Sequence, residues 1–242
     1  DILVVLEDNH GSLHRMSREA IAGAQQLGES ITALAIGQHA SLLADKLSGV
    51  DLAEVLTVSH ELVSSYNADG YAEVVRQIIE AESPQLIIAG HTYQTRDYMP
   101  RVSAKCDIPF IPDVISAEDG SYVKLVLNSK LNATVSASSD TVILSFQSAA
   151  YSDEDLVPGS CASRPFEVNL DTAMVRSETE EPFQEDAGDV DLESAELIIS
   201  IGRGIEKEEN IPMVFELAEA LGAEVSASRP VVDSGWIESF RQ

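Results

Sequence analysis

The chain is poor in positive charge. Only 15 of its 242 residues are Lys or Arg against 41 Asp or Glu, a formal net charge of −26 with histidine neutral, and its pI is about 4.3. A phosphate backbone would be repelled and no basic stripe offsets the field, which excludes a nucleic-acid binder. The same imbalance opposes adhesion to an anionic membrane surface. Long apolar runs are missing too: none approaches the ~20 residues of a membrane-crossing helix, so no membrane insertion is expected. Residues 1–6 have neither the basic start nor the long apolar stretch of a signal peptide, and they read as a strand. Cysteine is scarce. Cys106 and Cys161 show no Cys-x-x-Cys or Cys/His spacing and read as reduced thiols. No Gly-x-Ser-x-Gly elbow, Walker loop or His-Glu-x-x-His pair occurs, so no catalytic nucleophile, acid or base is named. His10 and His14 are four apart, but Gly11 interrupts them and no third ligand lies nearby, so no metal site is expected.

What is present suffices for a core. Hydrophobic residues make up 44% of the chain and mean hydropathy is near zero, which excludes disorder. The expectation is a soluble, acidic, intracellular globular protein of between one and two domains. Apolar runs at 2–6, 31–36, 54–58 and 86–89 alternate with helical patterns. The first helix is capped by Ser12 or Ser17 and reaches Leu27, a second covers 40–47, and a third opens at 69–71 with Val74, Val75, Ile78 and Ile79 on its buried face. Continuous apolar strands between helices predict a parallel sheet covered on both faces. Beyond residue 105 the runs 110–115, 122–127, 132–136 and 141–146 follow with little helix between, which predicts an antiparallel or mixed extension. Further extended pieces are expected at 166–169 and 174–177.

From 177 to 202 there is no Lys or Arg, while nine acidic residues accumulate around Pro182 and Gly188. This stretch reads as a linker or as an acidic docking patch. It divides the chain into a domain at 1–188 and a second at 189–242. In the second, a strand at 196–201, a turn at 202–204, a helix at 210–221 and a strand at 223–228 make one β-turn-α-β unit of a nucleotide-binding fold.

Gly202-Arg203-Gly204 stands at a strand's carboxyl end and a helix's entry, where such folds bind phosphates. Glycine lets a ligand approach the backbone, and a cation there can pair with a phosphate. The third glycine of the dinucleotide fingerprint is absent, so a plain tight turn remains the other reading. Ser228-Arg229-Pro230 ends the second strand, from which Arg229 would project into the same crevice as Arg203. Alternatively, each arginine pairs with a local carboxylate, Asp233 being the obvious one for Arg229. Thr92, Thr95 and Arg96 follow another strand end, either as a vestigial nucleotide cleft or as a helix start and subunit-contact loop.

Several segments in register resemble the alpha subunit of electron transfer flavoprotein. Ile201-Gly-Arg-Gly204 with the run from Ala227-Ser-Arg-Pro to Asp233-Ser-Gly-Trp236 is similar to that family's G-R-G turn and S-R-x-x-V-D-x-G-W segment. Glu7 to Leu13, Pro100 to Ala104 with Ile111 to Val114, and Asn132 to Val135 resemble further family segments, so the likeness spans essentially the whole chain. It implies a three-layer nucleotide-binding-like domain with a mainly parallel sheet and an antiparallel extension, followed by a Rossmann-like FAD-binding domain. It also implies FAD contacts at Gly202, Arg203, Gly204 and Ser228, with Arg229 near the flavin ring. A fixed cation there favours the negatively charged reduced flavin and raises its potential.

Under this resemblance the chain is an electron carrier and not an enzyme. It would pass electrons from flavin dehydrogenases, such as acyl-CoA dehydrogenases, to a quinone oxidoreductase, as a heterodimer with a beta subunit bound by the amino-terminal domain. Its place would be the bacterial cytoplasm or the mitochondrial matrix. A non-redox nucleotide-binding or scaffold module is the alternative. The family's Q-T-G-K, S-G-A-x-Q-H and N-x-D-P segments do not occur after Trp236, so the FAD-binding domain is expected to be incomplete. Purified alone, the chain should therefore hold FAD poorly, and a yellow protein with stoichiometric flavin after desalting would contradict this.

Overall fold

The computed structural model describes residues 1–177, 179–180, 192 and 195–242. It divides into two compact units, Asp1–Thr179 and Glu180–Gln242. The boundary expected at 188/189 lies outside the described residues, as does most of the acidic stretch.

The first unit alternates strands and helices through residue 106: β1 (Ile2–Val5), the two-residue pair β2 (Asp8–Asn9) and β3 (Ser12–Leu13), α1 (Arg15–Leu27), β4 (Ile31–Ile36), α2 (Ala40–Lys46), β5 (Glu54–Val58), α3 (Ala68–Glu82), β6 (Leu86–Gly90) and α4 (Tyr93–Cys106). Strands dominate afterwards: β7 (Phe110–Glu118), β8 (Ser121–Val126), β9 (Leu131–Ser136), β10 (Val142–Phe146) and β11 (Ala162–Pro165). Nine of these form one sheet in the order β11-β5-β4-β1-β6-β10-β7-β8-β9. Strands β11 through β7 pair in parallel, and β8 and β9 continue antiparallel. The three-layer, mainly parallel domain with an antiparallel extension is thus the observed fold.

Alternation along the strands builds the layers, because successive side chains leave opposite faces. Ile2, Val4 and Leu6 join Ile21, Ala24 and Leu43 in one core. Leu3 and Val5 join Val74, Val75, Ile78 and Met99 in the other. Helix α1 packs so tightly on the sheet that a Cβ at Gly90 would fall 2.6 Å from the Met16 Cβ and 3.1 Å from its carbonyl oxygen. Gly37, at φ +112°, makes the turn after β4 in a region L side chains rarely enter. Among the described residues no helix is long and apolar enough to cross a membrane.

Several local expectations are corrected. Helix α1 is capped by His14, whose ring nitrogen accepts from Met16 N. Ser17 is instead buried and accepts from Glu7 N. Helix α3 starts one residue before the expected opening, behind Asn67, whose side-chain Oδ1 accepts from Gly70 N. The extended pieces expected at 166–169 and 174–177 are not strands; the ninth strand is β11. It pairs with β5 through the backbone and through Arg164, which donates to the Glu54 carboxylate, and none of its residues is buried, so it carries no apolar signal. Residues 166–177 instead lie against α3. Leu170 enters the core, the Gln77 amide exchanges two hydrogen bonds with the Asn169 backbone, and Asp69 accepts from Arg176 N.

The second unit contains β12 (Ile198–Ile201), α5 (Ile211–Leu221), β13 (Glu224–Ala227) and the short α6 (Arg229–Val232). The two strands pair in parallel, with Ile201 opposite Ala227. Ile201, Ile211, Ala218, Val225, Ala227, Val231 and Ile237 form its core. Gly222, at φ +65°, stops α5 where the pattern ended it. Arg241 ties the last residues down: its guanidinium lies over the Phe215 and Phe240 rings and donates to the Val225 carbonyl at 3.0 Å.

Two carboxylates of α3 reach α4: Asp69, which accepts from Arg101, and the buried Glu73. Glu73, only 5% exposed, accepts from Arg76 and Gln77 on its own helix and from Lys105 on α4 at 3.1 Å. The Arg76 hydrogen bond holds its pKa down to about 2, against the opposing effect of burial. A depressed pKa stabilises the fold above the ordinary value of 4.5, and that stabilisation is lost as pH falls toward 2. Glu73→Gln should therefore cost about 1–3 kcal/mol at pH 7 in urea unfolding, with the gap from wild type narrowing below pH ~4.5. A gap that is constant from pH 7 to pH 3 would contradict this role.

Candidate functional site

Parallel strands end at the same side of a sheet, so the loops leaving them gather there. In the second unit the register brings Gly202, after Ile201, beside Ser228, after Ala227. Ser228 N donates to the Ile201 carbonyl at 2.9 Å and locks the two exits together. One residue earlier on each strand, the Ser200 and Ser226 hydroxyls hydrogen-bond at 2.7 Å.

The first exit is a one-turn 3-10 helix, Arg203–Ile205, closed by Ile205 N donating to the Gly202 carbonyl at 3.0 Å. The Asn210 side chain secures it by donating to the Ile205 carbonyl at 2.9 Å. Gly202 has φ −106°, open to any residue, so the turn's geometry does not demand glycine there. What glycine supplies is access: a Cβ at Gly202 or Gly204 would meet no atom within 4 Å. Arg203 is exposed and makes no ion pair with any described residue. Beside the turn lies a concavity of about 360 Å³ lined by Ile199, Ile201, Gly202, Gly204, Val214 and Leu217.

The second exit turns directly into α6. Arg229 is therefore the first helical residue and not the last of a strand, because Pro230 supplies the fixed φ that a helix's first turn accepts. Ser228 precedes it in extended conformation, with its hydroxyl unused as a cap. The local pairing foreseen for Arg229 exists: its Nε lies 3.5 Å from an Asp233 carboxylate oxygen. All five expected residues, Gly202, Arg203, Gly204, Ser228 and Arg229, thus belong to two adjoining strand exits, with both arginines in solvent.

The matching place in the first unit is chemically opposite. Strands β1 and β6 adjoin where the order of the sheet reverses, and α4 begins just after β6. The Glu7 carboxylate sits there and accepts from the Thr92 hydroxyl, while Thr92 caps α4 by accepting from Thr95 N at 3.1 Å. A helix start that welcomes an anion already has one from its own chain. Arg96 stacks over the exposed Tyr93 ring, 5.4 Å from its centroid. Thr92 and Thr95 form a helix start that needs no ligand, and the Glu7–Thr92 contact had no sequence signal, because 85 residues separate the pair. Nearby, burial holds His91 below the usual histidine range while its Nδ1 shares a 2.8 Å hydrogen bond with the buried Ser145 hydroxyl.

A mainly parallel three-layer unit, followed by a second parallel unit with an open cationic edge, defines an α/β protein of the nucleotide-binding-like class. Residues 2–168 match the family described as "Electron transfer flavoprotein domain", and residues 191–242 match "Electron transfer flavoprotein FAD-binding domain". The chain is 30% identical to "Electron transfer flavoprotein subunit alpha" of Bacillus subtilis (strain 168), over 98% of its own length and 74% of that protein's. It is 28% identical to the protein of the same name from Methylophilus methylotrophus, over 100% and 77%, and 27% identical to "Protein FixB" of Clostridium saccharobutylicum, over 100% and 75%. The chain belongs to the electron transfer flavoprotein family, as an alpha subunit. Its role is in electron transfer, and an FAD-binding domain and, in general, a beta-subunit partner go with that membership.

Proposed function

We propose that this alpha subunit carries electrons from flavin dehydrogenases, such as acyl-CoA dehydrogenases, to a quinone oxidoreductase. Its FAD is held at the paired strand exits of the second unit, in a heterodimer with a beta subunit. The observation that carries the reading is the chemistry of those exits: two exposed guanidinium groups, a free serine hydroxyl and a glycine turn open to close approach. In a chain of net charge −26 this donor set fits an anionic dinucleotide. The carboxylate-filled helix start of the first unit does not.

FAD, when bound, supplies the electron acceptor and donor, and the protein supplies position and field. Gly202 and Gly204 leave the backbone open to the dinucleotide's phosphates, and Arg203 pairs with them. Ser228 offers a hydroxyl donor at the adjoining exit. Arg229 places a fixed positive charge beside the ring, which favours the reduced, negatively charged state.

The test is co-expression of the full-length alpha subunit with its beta subunit, followed by FAD titration and potentiometry. Arg203→Gln should weaken FAD binding about 10- to 100-fold, the loss of one charge-assisted contact. Arg229→Gln should lower the midpoint potential of the bound flavin, with a smaller effect on affinity. Wild-type affinity in the first variant together with an unchanged potential in the second would place the cofactor elsewhere. Stopped-flow reduction by an acyl-CoA dehydrogenase, with reoxidation by a quinone oxidoreductase, tests the donor and acceptor. Failure of both exchanges would exclude them.

A further inference from the structure

We propose that Asp233 is the counter-charge of Arg229 and sets how much of that arginine's positive charge reaches a bound flavin. This deepens, and rests on, the reading of Arg229 as the flavin's cation. Asp233 is one helical turn beyond Arg229, and the backbone fixes the pair: Asp233 N donates to the Arg229 carbonyl at 2.8 Å. The turn is held at every other point as well. Val231, only 1% exposed, plugs into the core. The Ser234 hydroxyl donates to the Pro230 carbonyl at 2.8 Å, and Gly235 N to the Val232 carbonyl at 2.8 Å. Gly235 has φ +74°, which ends the turn sharply.

The way the guanidinium is engaged sets Arg229 apart from Arg76 and Arg164. Arg76 gives Nε, Nη1 and Nη2 to Glu73 and Glu80, and Arg164 gives Nε and Nη2 to Glu54 and Glu82. Those guanidinium groups are largely committed to holding the fold. The Arg229 side chain makes no hydrogen bond among the described residues, and its closest approach to a carboxylate is from Nε to an Asp233 oxygen at 3.5 Å. With side chains 76% and 64% exposed, the pair contributes little to stability. Its consequence is electrostatic. A carboxylate that is close but not hydrogen-bonded leaves the guanidinium donors for an anion while cancelling part of the charge that the anion feels. Removing the carboxylate should therefore strengthen the field of Arg229 on a reduced flavin and raise its potential.

The experiment uses the FAD-loaded heterodimer with the full-length alpha chain, comparing Asp233→Asn, Asp233→Glu and Arg229→Gln by potentiometry, with melting temperature as a control. The expected result is a positive shift of the midpoint potential in Asp233→Asn, a potential close to wild type in Asp233→Glu, and unchanged melting in both. If Arg229→Gln lowers the potential while Asp233→Asn leaves it unchanged or lowers it, the counter-charge role is overturned and the reading of Arg229 stands. Equal shifts in Asp233→Asn and Asp233→Glu would also overturn it, since the charge is kept in one of them. If no variant moves the potential, the reading of Arg229 as the flavin's cation falls as well.

Discussion

The parallel register of β12 on β13 is the constraint on which the candidate site depends. Pairing Ile201 with Ala227 ends both strands at one level, and the bond from Ser228 N to the Ile201 carbonyl holds their exits together. Everything distinctive about the second unit follows from what occupies those exits. A turn in which glycines flank Arg203 on one and a helix with proline in its first turn on the other bring two arginines and a serine to the same edge. A shift of register by one residue would separate them and invert the strands' buried faces.

The first unit shows that a strand-end edge is not enough. It has a larger parallel sheet and a longer helix start at its point of order reversal, yet Glu7 and Thr92 satisfy that start from within. Three of its arginines are spent in a similar way: Arg76, Arg101 and Arg164 each bridge two carboxylates. In a chain with so few cations, the exposure of Arg203 and Arg229 is the informative asymmetry. At its strand exits the first unit holds a carboxylate, and the second presents two arginines to solvent.

Much of this was legible in the sequence. Apolar runs such as Ile2–Val5 and Ile31–Ile36 are fully or nearly fully buried and appear where the pattern placed them. The G-R-G turn and the S-R-P corner were readable because glycine and proline constrain the backbone locally. What escaped was built from long-range polar and backbone contacts. Strand β11, with no buried side chain, is defined by its partner β5. The cap of α1 by His14 escaped because histidine is not a favoured cap, and Ser17 was already engaged by the Glu7 backbone. The binding of 166–177 to α3 through Gln77 and Asp69 joins residues roughly a hundred positions apart. No periodicity reports such contacts.

The most direct test of the central claim is a crystal structure of the FAD-loaded heterodimer containing the full-length alpha subunit. The account predicts the cofactor's phosphates over the Gly202–Gly204 turn, within hydrogen-bonding distance of Arg203, and the flavin ring beside Arg229. Cofactor density at the Glu7–Thr92 edge of the first unit, or in the partner subunit with Arg203 and Arg229 both in bulk solvent, would contradict it.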